Sequence, residues 1–505
     1  MAASRVVEAV VGGPSLGQRA THGFAWLVLQ ALGTKAARLV CTLVLAAVLA
    51  KPDFGLVGLA TTVAAFAGLL RDTGLGTILV QRHAKFDRWA TPAFWMALTA
   101  GLLAAIVMVV AAPLTAGLFR QLPMEGRATY MRLVFVLALA SPFEALLVVP
   151  QARLQSDLRF RASALVGVMA TVTTVGLQLA LAVPLARAGL GAFAVILPLP
   201  LVALGQVVTL LILARVRIRP RLQVRRWRYL FRDTGLNFGI SMAGTVVMQG
   251  DNLVLGLLCH PTYVATYFFT FNLASQPIAL FCGSLQAALF PTLAKMAGEP
   301  ARQLQSYLRV VQFAGVMGCL ACALQGALAR PLMHVFFGSK WDDAVPLLRL
   351  LSLNMAIALA GGPTGALFQA QGRFYRQLFC AAATAAVFLI GITIGAWYGD
   401  AVGVAAALCV VTATTVPMTC YLAIRPVGGR WRDVARLMLY PLGTAAVSFI
   451  PLLLLLKRWH LDGSSLVVFA FVGGGGLLIY VTVIQVLLPG VWRDGLQRFR
   501  SLMPV

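Results

Sequence analysis

The sequence predicts an all-α polytopic membrane protein, and three observations support this fold class. Hydrophobic residues make up 60% of the 505-residue chain and charged residues only 11%. The mean hydropathy is +0.86, and apolar runs of bilayer-spanning length recur from end to end. The 41 lysines and arginines concentrate in alternate loops, as basic residues do on the cytoplasmic side of a membrane. The net charge of +25 therefore indicates topology rather than nucleic-acid binding.

Reading the apolar runs in order predicts about fourteen transmembrane helices. They lie near residues 21–50, 53–70, 89–119, 128–150, 162–186, 190–214, 233–258, 262–294, 303–333, 343–370, 374–398, 400–424, 433–456 and 464–490. The segment before the first helix contains Gly12, Gly13 and Pro14 but no apolar core with a cleavage site. We therefore expect the first helix itself to direct insertion. With both termini cytoplasmic, most of the lysines and arginines fall in cytoplasmic loops and tails, and we predict that orientation although the outer loop around Arg120, Arg127 and Arg132 is also basic.

A basic stretch divides the chain after the sixth predicted helix. It runs from Arg215 to Arg232 and holds eight arginines. Trp227 and Tyr229 could stack on bases, but a cytoplasmic loop position favours contact with anionic lipids over contact with nucleic acid. The predicted divisions are an N-lobe over 1–232, a C-lobe over 233–425, and two further helices with a cytoplasmic tail over 426–505.

The two lobes carry a short internal repeat. Residues 48–54, VLAKPDF, align with residues 257–263, LLCHPTY, which matches Pro52 with Pro261. Each copy lies between the first and second helices of its lobe, and an even number of helices per lobe gives both lobes the same orientation. This arrangement predicts a parallel pseudo-twofold repeat about an axis along the membrane normal.

Cysteine and histidine patterns give no sign of a metal site or a resident cofactor. All eight cysteines lie in apolar segments and are interpreted as small hydrophobic residues. Cys319 and Cys322 form a C-x-x-C pair inside a predicted membrane helix, where packing is the favoured interpretation. His260 and His334 are isolated and fit interfacial positions better than a catalytic base.

Two cations, Lys35 and Arg38, lie three residues apart in the first predicted helix. A charge at bilayer depth costs at least ~2.5 kcal/mol, so it usually faces a cavity or a substrate path. Lys35 is about 16 Å along the helix from Phe24, roughly midway through the hydrocarbon core. If the span began later, both side chains could reach the cytoplasmic headgroups instead. The pair predicts an anionic ligand.

Polar side chains recur at helical spacing on the seventh and eighth predicted helices. The two sets are Asn237, Ser241, Gly244, Met248 and Asp251, and Asn272, Gln276, Ala279, Gly283 and Gln286. Each set steps by four, three, four and three residues, which places its members on one helix face. Ser241, Gly244 and Gly283 fit close helix contacts. Asn272, Gln276 and Gln286 are equally candidates for a sugar-lined cavity shared by the two faces.

Intramembrane carboxylates are the candidates for ion coupling, because such groups often act as relays. Asp251 is the only acid well inside the C-lobe, and Glu144 is its nearest counterpart in the N-lobe. Coupling to H⁺ or Na⁺ is one interpretation of this pair. Asp251 and the adjacent Asn252 could equally hold helices together, for example by neutralising Arg349.

Six stretches, in order through both lobes, carry a resemblance to a known family. They are LVLAAVLAKPDFGLVGLA (43–60), RDTGLGTILVQR (71–82), LQSDLRFRASAL (154–165), GDNLVLGLL (250–258), LFPTLAKM (289–296) and FFGSKWDDAVPLLRLLSL (336–353). In this order and spacing, the chain resembles the Wzx-like polysaccharide flippases of the multidrug/oligosaccharidyl-lipid/polysaccharide exporter superfamily. The resemblance extends over nearly the whole chain.

The resemblance implies a transporter that moves undecaprenyl-diphosphate-linked oligosaccharide from the cytoplasmic to the periplasmic leaflet of the inner membrane by alternating access. The product would be exopolysaccharide, capsule or O-antigen, and the implied partners are membrane lipids and the polysaccharide polymerase and export proteins. Arg38 and Arg349 fit the family pattern, which implies a substrate role for both, whereas the role of Lys35 depends on geometry alone. Asp251 and Asn252 match the family's Asp-Asn pair.

Three other functions are alternatives to a flippase. A multidrug exporter of the same superfamily normally handles cations and needs intramembrane acids, whereas the first helix offers cations. A polysaccharide polymerase or ligase needs reactive groups beside a large outer loop, and the predicted outer loops are short. A scaffold within a polysaccharide assembly complex stays open.

Overall fold

A computed structural model describes most of the chain. The described residues are 33–71, 75–76, 79, 86–119, 121–157, 159–216, 218–219, 227, 235–278, 289–290, 292–296, 298–458 and 466–487. Within these ranges the regular structure is helical throughout and contains no strand. The fold class predicted from composition and hydropathy is therefore confirmed.

We number the helices in chain order. The first eight are α1 (33–48), α2 (Lys51–Gly68), α3 (Phe86–Leu118), α4 (Met124–Leu146), α5 (Val148–Ser156), α6 (Phe160–Arg187), α7 (Gly191–Ile196) and α8 (Pro198–Ala214). The others are α9 (Gly235–Leu258), α10 (Pro261–Ala274), α11 (Pro300–Ala327), α12 (Ala329–Phe337), α13 (Ala344–Gly361), α14 (Thr364–Ala370), α15 (Phe374–Ile424), α16 (Trp431–Arg458) and α17 (Leu466–Leu487).

The helices agree with the predicted apolar segments. Helical residues occur in every one of those segments, and eight helical stretches of the described chain, some of them two consecutive helices, are long and apolar enough to cross a membrane. The protein is therefore a multi-pass membrane protein, while the total of fourteen spans stays a prediction. The division into lobes also stays a prediction, because most of the basic stretch 215–232 lies outside the described residues.

Helix α15 is long enough for two spans and contains a sharp reversal. Gly399 and Asp400 have non-helical backbone angles, and Asp400 has a φ of +49°. On either side of the reversal, Gly395 and Gly403 touch backbone to backbone. Only glycine permits such an approach, because any Cβ would overlap the facing carbonyl group. The two arms form an antiparallel hairpin whose turn lies where the sequence predicts the break between 374–398 and 400–424.

Helices α2 and α10 pack against each other and join the two halves of the chain. Each has a proline of the internal repeat in its first turn, Pro52 as the second residue of α2 and Pro261 as the first of α10, where the missing N–H and the fixed φ suit a helix start. A Cβ added to Gly58 would lie 2.7 Å from Cγ of Phe268. A glycine on α2 is therefore what lets α10 approach this closely.

Candidate functional site

One cavity, with a volume of about 920 Å³, brings together five of the residues singled out from the sequence. These are Lys35, Arg38, Glu144, Asn272 and Gln276. They come from α1, α4, α10 and the residues that follow α10, so both halves of the chain contribute to the cavity wall. We call it the central cavity.

Helix α1 supplies the two cations of the central cavity. Lys35 is half-buried and Arg38 is exposed, and both line the cavity together with Thr34, Cys41 and Thr42. The Thr42 hydroxyl donates a hydrogen bond of 2.9 Å to the Arg38 carbonyl oxygen, within the helix. Among the described residues, the Arg38 guanidinium forms no ion pair. Its donors are therefore available to a negatively charged ligand.

Glu144 lines the same cavity and is the acid of an ion pair with Arg71. Arg71 follows the C-terminal end of α2, and its guanidinium also covers Gly68. The pairing neutralises Glu144 locally, so this carboxylate does not offset the positive charge of Arg38 on the cavity wall. Sequence reasoning identified Glu144 but not its partner, because Arg71 is distant along the chain.

Asn272 and Gln276 stack along one face that borders the cavity. The Asn272 amide nitrogen donates to the Phe268 carbonyl oxygen at 2.8 Å, and the Gln276 amide nitrogen donates to the Asn272 carbonyl oxygen at 2.8 Å. These contacts within one helix face fix the orientation of both amides. Gln286, the third predicted member of this face, lies outside the described residues.

A polar face on α6 also lines the cavity and was missed from the sequence. Thr171, Thr174 and Gln178 border the cavity along with Gly167. Gln178 connects three elements, because its amide nitrogen donates to the Val195 carbonyl oxygen at 2.7 Å and its amide oxygen accepts from the Cys41 thiol at 3.3 Å. The signal was available, since these four positions step by four, three and four residues on one helix face.

Arg349 does not reach the central cavity. It lines a second cavity of about 810 Å³ together with Arg330 and residues of α11, α13 and α16, and the two cavities have no lining residue in common. The structure therefore separates Arg349 from Lys35 and Arg38, although the resemblance implied a substrate role for both arginines. Residue spacing could not reveal this, because the separation depends on which helices surround α13.

Asp251 and Asn252 form a buried cluster that pairs α9 with α10. The Tyr267 hydroxyl donates to Asp251 Oδ2 at 2.8 Å, and the Asn252 backbone N–H donates to Asp251 Oδ1 at 2.8 Å. Asp251 is 0% exposed, and neither residue lines the central cavity. These contacts fit the predicted alternative in which Asp251 holds helices together, with Tyr267 as its partner instead of Arg349.

The polar faces of the seventh and eighth predicted helices line different cavities. Ser241, Gly244 and Met248 border a third cavity of about 610 Å³, whose wall includes Thr364 and Gln377. Asn272 and Gln276 border the central cavity instead. The expectation of one cavity shared by both faces is wrong, because α9 presents its face toward α14 and α15.

A turn between α12 and α13 connects the second half of the chain to the first. The Lys51 ammonium lies 2.6 Å from Asp343 Oδ1, and Thr266 Oγ1 donates to Asp343 Oδ2 at 3.0 Å. Lys340 Nζ donates to the Ala46 carbonyl oxygen at 3.0 Å. Cations suit the C-terminal end of a helix, where carbonyl groups lack partners. We call residues 338–343 the clamp turn.

Aromatic packing surrounds the clamp turn. The Trp341 indole N–H donates to the Ala46 carbonyl oxygen at 3.2 Å, and its ring lies 4.1 Å from that of Phe269 and 5.7 Å from that of Phe54, between centroids. Burial and the neighbouring Lys51 charge lower the pKa of Lys340, and the nearby Asp53 opposes that shift. The clamp turn thus holds the ends of α1 and α2 at one end of the central cavity.

A family model described as "Polysaccharide biosynthesis protein" matches residues 44–346. The lipopolysaccharide biosynthesis protein WzxC of Escherichia coli (strain K12) is 21% identical over 82% of this chain and 83% of its own length. The succinoglycan biosynthesis transport protein ExoT of Rhizobium meliloti (strain 1021) is 26% identical over 78% of each chain.

Solved structures share the fold. The lipid II flippase MurJ in an inward closed conformation aligns with a TM-score of 0.73 at 12% identity, covering 93% of this chain and 99% of its own. An inward-facing MATE family multidrug resistance transporter of the MOP superfamily aligns with a TM-score of 0.62 at 16% identity, covering 79% of this chain and 98% of its own. The structural alignments show that the protein has the fold of the multidrug/oligosaccharidyl-lipid/polysaccharide exporter superfamily. Since the family model matches more than half of the chain, the protein belongs to the polysaccharide biosynthesis protein family.

Proposed function

We propose that the protein translocates undecaprenyl-diphosphate-linked oligosaccharide repeat units from the cytoplasmic to the periplasmic leaflet by alternating access, for synthesis of a surface polysaccharide. The observation that carries this proposal is the central cavity, which has two cations on α1 and polar walls from both halves of the chain. A relative named as a succinoglycan transport protein and a structural neighbour named as a lipid II flippase support it.

In this proposal, different side chains of the central cavity bind different parts of the substrate. Lys35 and Arg38 bind the diphosphate, because ammonium and guanidinium groups form strong charge-assisted hydrogen bonds with phosphate oxygens. Asn272 and Gln276 offer their amide oxygens to the sugars, because their amide nitrogens already donate within the protein, and the prenyl chain stays in the lipid. Arg349 has no part in holding the diphosphate, since it lines another cavity.

Glu144 is the carboxylate that we propose for any coupling to H⁺ or Na⁺. It lines the central cavity beside Lys35 and Arg38, whereas Asp251 is enclosed by Tyr267 and Asn252. Releasing Arg71 from Glu144 would change the charge of the cavity at the place where the diphosphate binds. Coupling at this position would therefore act directly on substrate affinity.

The proposed setting is the bacterial inner membrane, with both termini in the cytoplasm. In that orientation the clamp turn lies on the periplasmic side. A multidrug exporter shares the fold but would favour cationic ligands, which the charges of Lys35 and Arg38 disfavour. A polymerase or ligase is disfavoured because the curated relative ExoT is named as a transport protein.

The proposal is tested by locating the lipid-linked repeat unit in cells that lack the protein. We expect the repeat unit to accumulate on the cytoplasmic leaflet and export to stop. Accumulation on the periplasmic leaflet would contradict translocation and indicate polymerisation.

Complementing the deletion with site variants tests the cavity itself. Arg38→Ala and Lys35→Ala remove a charged partner of the diphosphate, and each should lower export at least ~10-fold at unchanged protein abundance. Arg376→Ala is the matched control, because Arg376 is exposed on α15 and lines none of the three cavities. Normal export by both cavity variants would contradict the assignment of the cations.

A further inference from the structure

The second cavity, of about 810 Å³, is a groove between α11, α13 and α16. Apolar side chains form most of its wall. Among them are Leu353, Ile357, Phe449, Ile450, Leu453 and Leu454. Leu353 is 50% exposed, Ile450 53% and Leu454 62%, so the groove opens sideways where the bilayer lies. We call it the lateral groove.

Two arginines, Arg330 and Arg349, line the lateral groove. Arg330 is the second residue of α12, and Arg349 lies in the second turn of α13. Both side chains are exposed, and neither forms an ion pair with a described residue. Within the part of the chain that the structure describes, no carboxylate lines the groove. A cation inside the membrane is costly unless an anion or water contacts it. We therefore expect the two arginines to bind a negatively charged ligand.

The polar neighbours of the groove are already satisfied within the protein. Ser352 Oγ donates to Gln325 Oε1 at 3.4 Å, and Gln325 Nε2 donates to the Leu273 carbonyl oxygen at 2.9 Å. These groups therefore do not compete for a ligand. Two guanidinium groups and an apolar wall therefore determine which ligand the groove can bind.

The arginines lie at one end of the groove. Gly315 of α11 faces Pro441 of α16, while residues 322–327 share the groove with residues 442–454. The two helices therefore run in the same direction, which puts the end of α11, and Arg330 just beyond it, near Leu454. The α16 wall from Leu442 to Leu454 extends about 18 Å, close to the ~15 Å depth of one leaflet.

We propose that the lateral groove binds an anionic glycerophospholipid, with its phosphate held by Arg330 and Arg349 and an acyl chain along α16. Guanidinium groups match phosphate oxygens in pairwise hydrogen bonds. The apolar wall has the length of a leaflet, and the charge lies at one end, which is the layout of a phospholipid. This site is separate from the central cavity and does not depend on the proposed function.

The test measures lipid retention by the purified full chain. The protein is reconstituted in phosphatidylcholine vesicles, with or without phosphatidylglycerol, and then extracted. Native mass spectrometry identifies the lipid that stays bound to it. Wild type should retain phosphatidylglycerol in preference to phosphatidylcholine. The double variant Arg330→Gln/Arg349→Gln should retain roughly 30-fold less, because it removes both charged partners of the phosphate.

Control variants separate the groove from general charge and from folding. Arg132→Gln removes an exposed arginine of α4 that lines none of the three cavities, and it should retain phosphatidylglycerol like wild type. Arg330→Lys/Arg349→Lys should keep part of the binding. Ile450→Trp fills the apolar wall with both arginines intact, and it should also lose the lipid.

Three outcomes would overturn the site. They are equal retention by wild type and the Arg330→Gln/Arg349→Gln variant, equal loss in Arg132→Gln, and retention of added undecaprenyl phosphate without retention of phosphatidylglycerol. The assay contains no oligosaccharide lipid, so its failure would leave the proposed translocation untouched, and failure of translocation would leave this site untouched.

Discussion

Charged and polar residues inside the membrane segments differ in what their neighbours allow them to do. Lys35 and Arg38 face the central cavity, Glu144 is held by Arg71, and Asp251 is enclosed by hydrogen-bond donors. All four are similar in the sequence, as single charges in apolar runs. Their separate roles follow from the partners that the fold places within reach.

The Asp251 cluster leads to a prediction about stability. Tyr267→Phe removes the hydroxyl that donates to Asp251 Oδ2 and leaves that oxygen buried without this donor. The variant should lose about 1–3 kcal/mol of unfolding free energy, measured as a lower unfolding temperature in detergent. Tyr263→Phe is the control, because Tyr263 is exposed on the same helix. Equal stability of the two variants would contradict the pairing role.

Asp251→Asn separates pairing from ion coupling. Asparagine keeps one acceptor oxygen for the Tyr267 hydroxyl and places an NH₂ group where Asp251 accepts from the Asn252 N–H, and it cannot carry or release a proton. If Asp251 serves helix pairing, as its contacts indicate, export by this variant should stay near wild type. Loss of export at unchanged abundance would instead assign the carboxylate to coupling.

At the scale of helices, close contacts between the halves of the chain depend on small residues. Gly58 of α2 lies against Phe268 of α10, and Phe268 also lines the central cavity. Helix association in membranes relies on such close packing, because lipid removes the hydrophobic driving force. The α2–α10 contact thus supports the cavity wall as well as the fold.

Gly58→Ala should be destabilising. The new Cβ would lie 2.7 Å from Phe268 Cγ, and relieving the overlap should cost about 1–3 kcal/mol of unfolding free energy. Gly176→Ala is the matched control, because Gly176 is also helical but has open space around its Cβ position. Unfolding temperatures of both variants provide the comparison. A Gly58→Ala variant as stable as the control would contradict this prediction, because it would show that Phe268 can move away from α2 without loss of stability.

The sequence predicted the helices well and the cavity walls only in part. Apolar runs indicated where α3, α6 and α11 occur, since spanning a bilayer requires about twenty apolar residues whatever the neighbours are. The polar face of α6 had the same spacing as that of α10, so it too was within reach of sequence reasoning. Assigning each face to a cavity was not, because that depends on long-range helix packing.

At the scale of the molecule, the clamp turn joins the two halves at one end of the central cavity. It belongs to the family-like stretch 336–353 and contacts the family-like stretch 43–60 through Lys51 and Ala46. Two stretches that resemble the family are thus in direct contact. Alternating access would require these contacts to break when that end of the cavity opens.

A cross-link across the clamp turn should stop export. The variant Lys51→Cys/Asp343→Cys carries thiols where the wild-type ion pair joins the halves, and a short cleavable bis-methanethiosulfonate reagent would connect them. Export should fall on treatment and recover after reduction. The two single-cysteine variants, treated identically, are the controls. Undiminished export by the cross-linked protein would show that this contact need not open.

By itself, the sequence determined the all-α membrane fold, the order of the helices and the presence of cations within the first span. These depend on local properties, namely hydropathy over a span and the cost of a charge in lipid. Only the tertiary structure decided that Arg38 and Asn272 share one cavity while Arg349 faces another, and that Glu144 pairs with Arg71. Such groupings arise from side chains far apart in the chain, and helix packing alone brings them together.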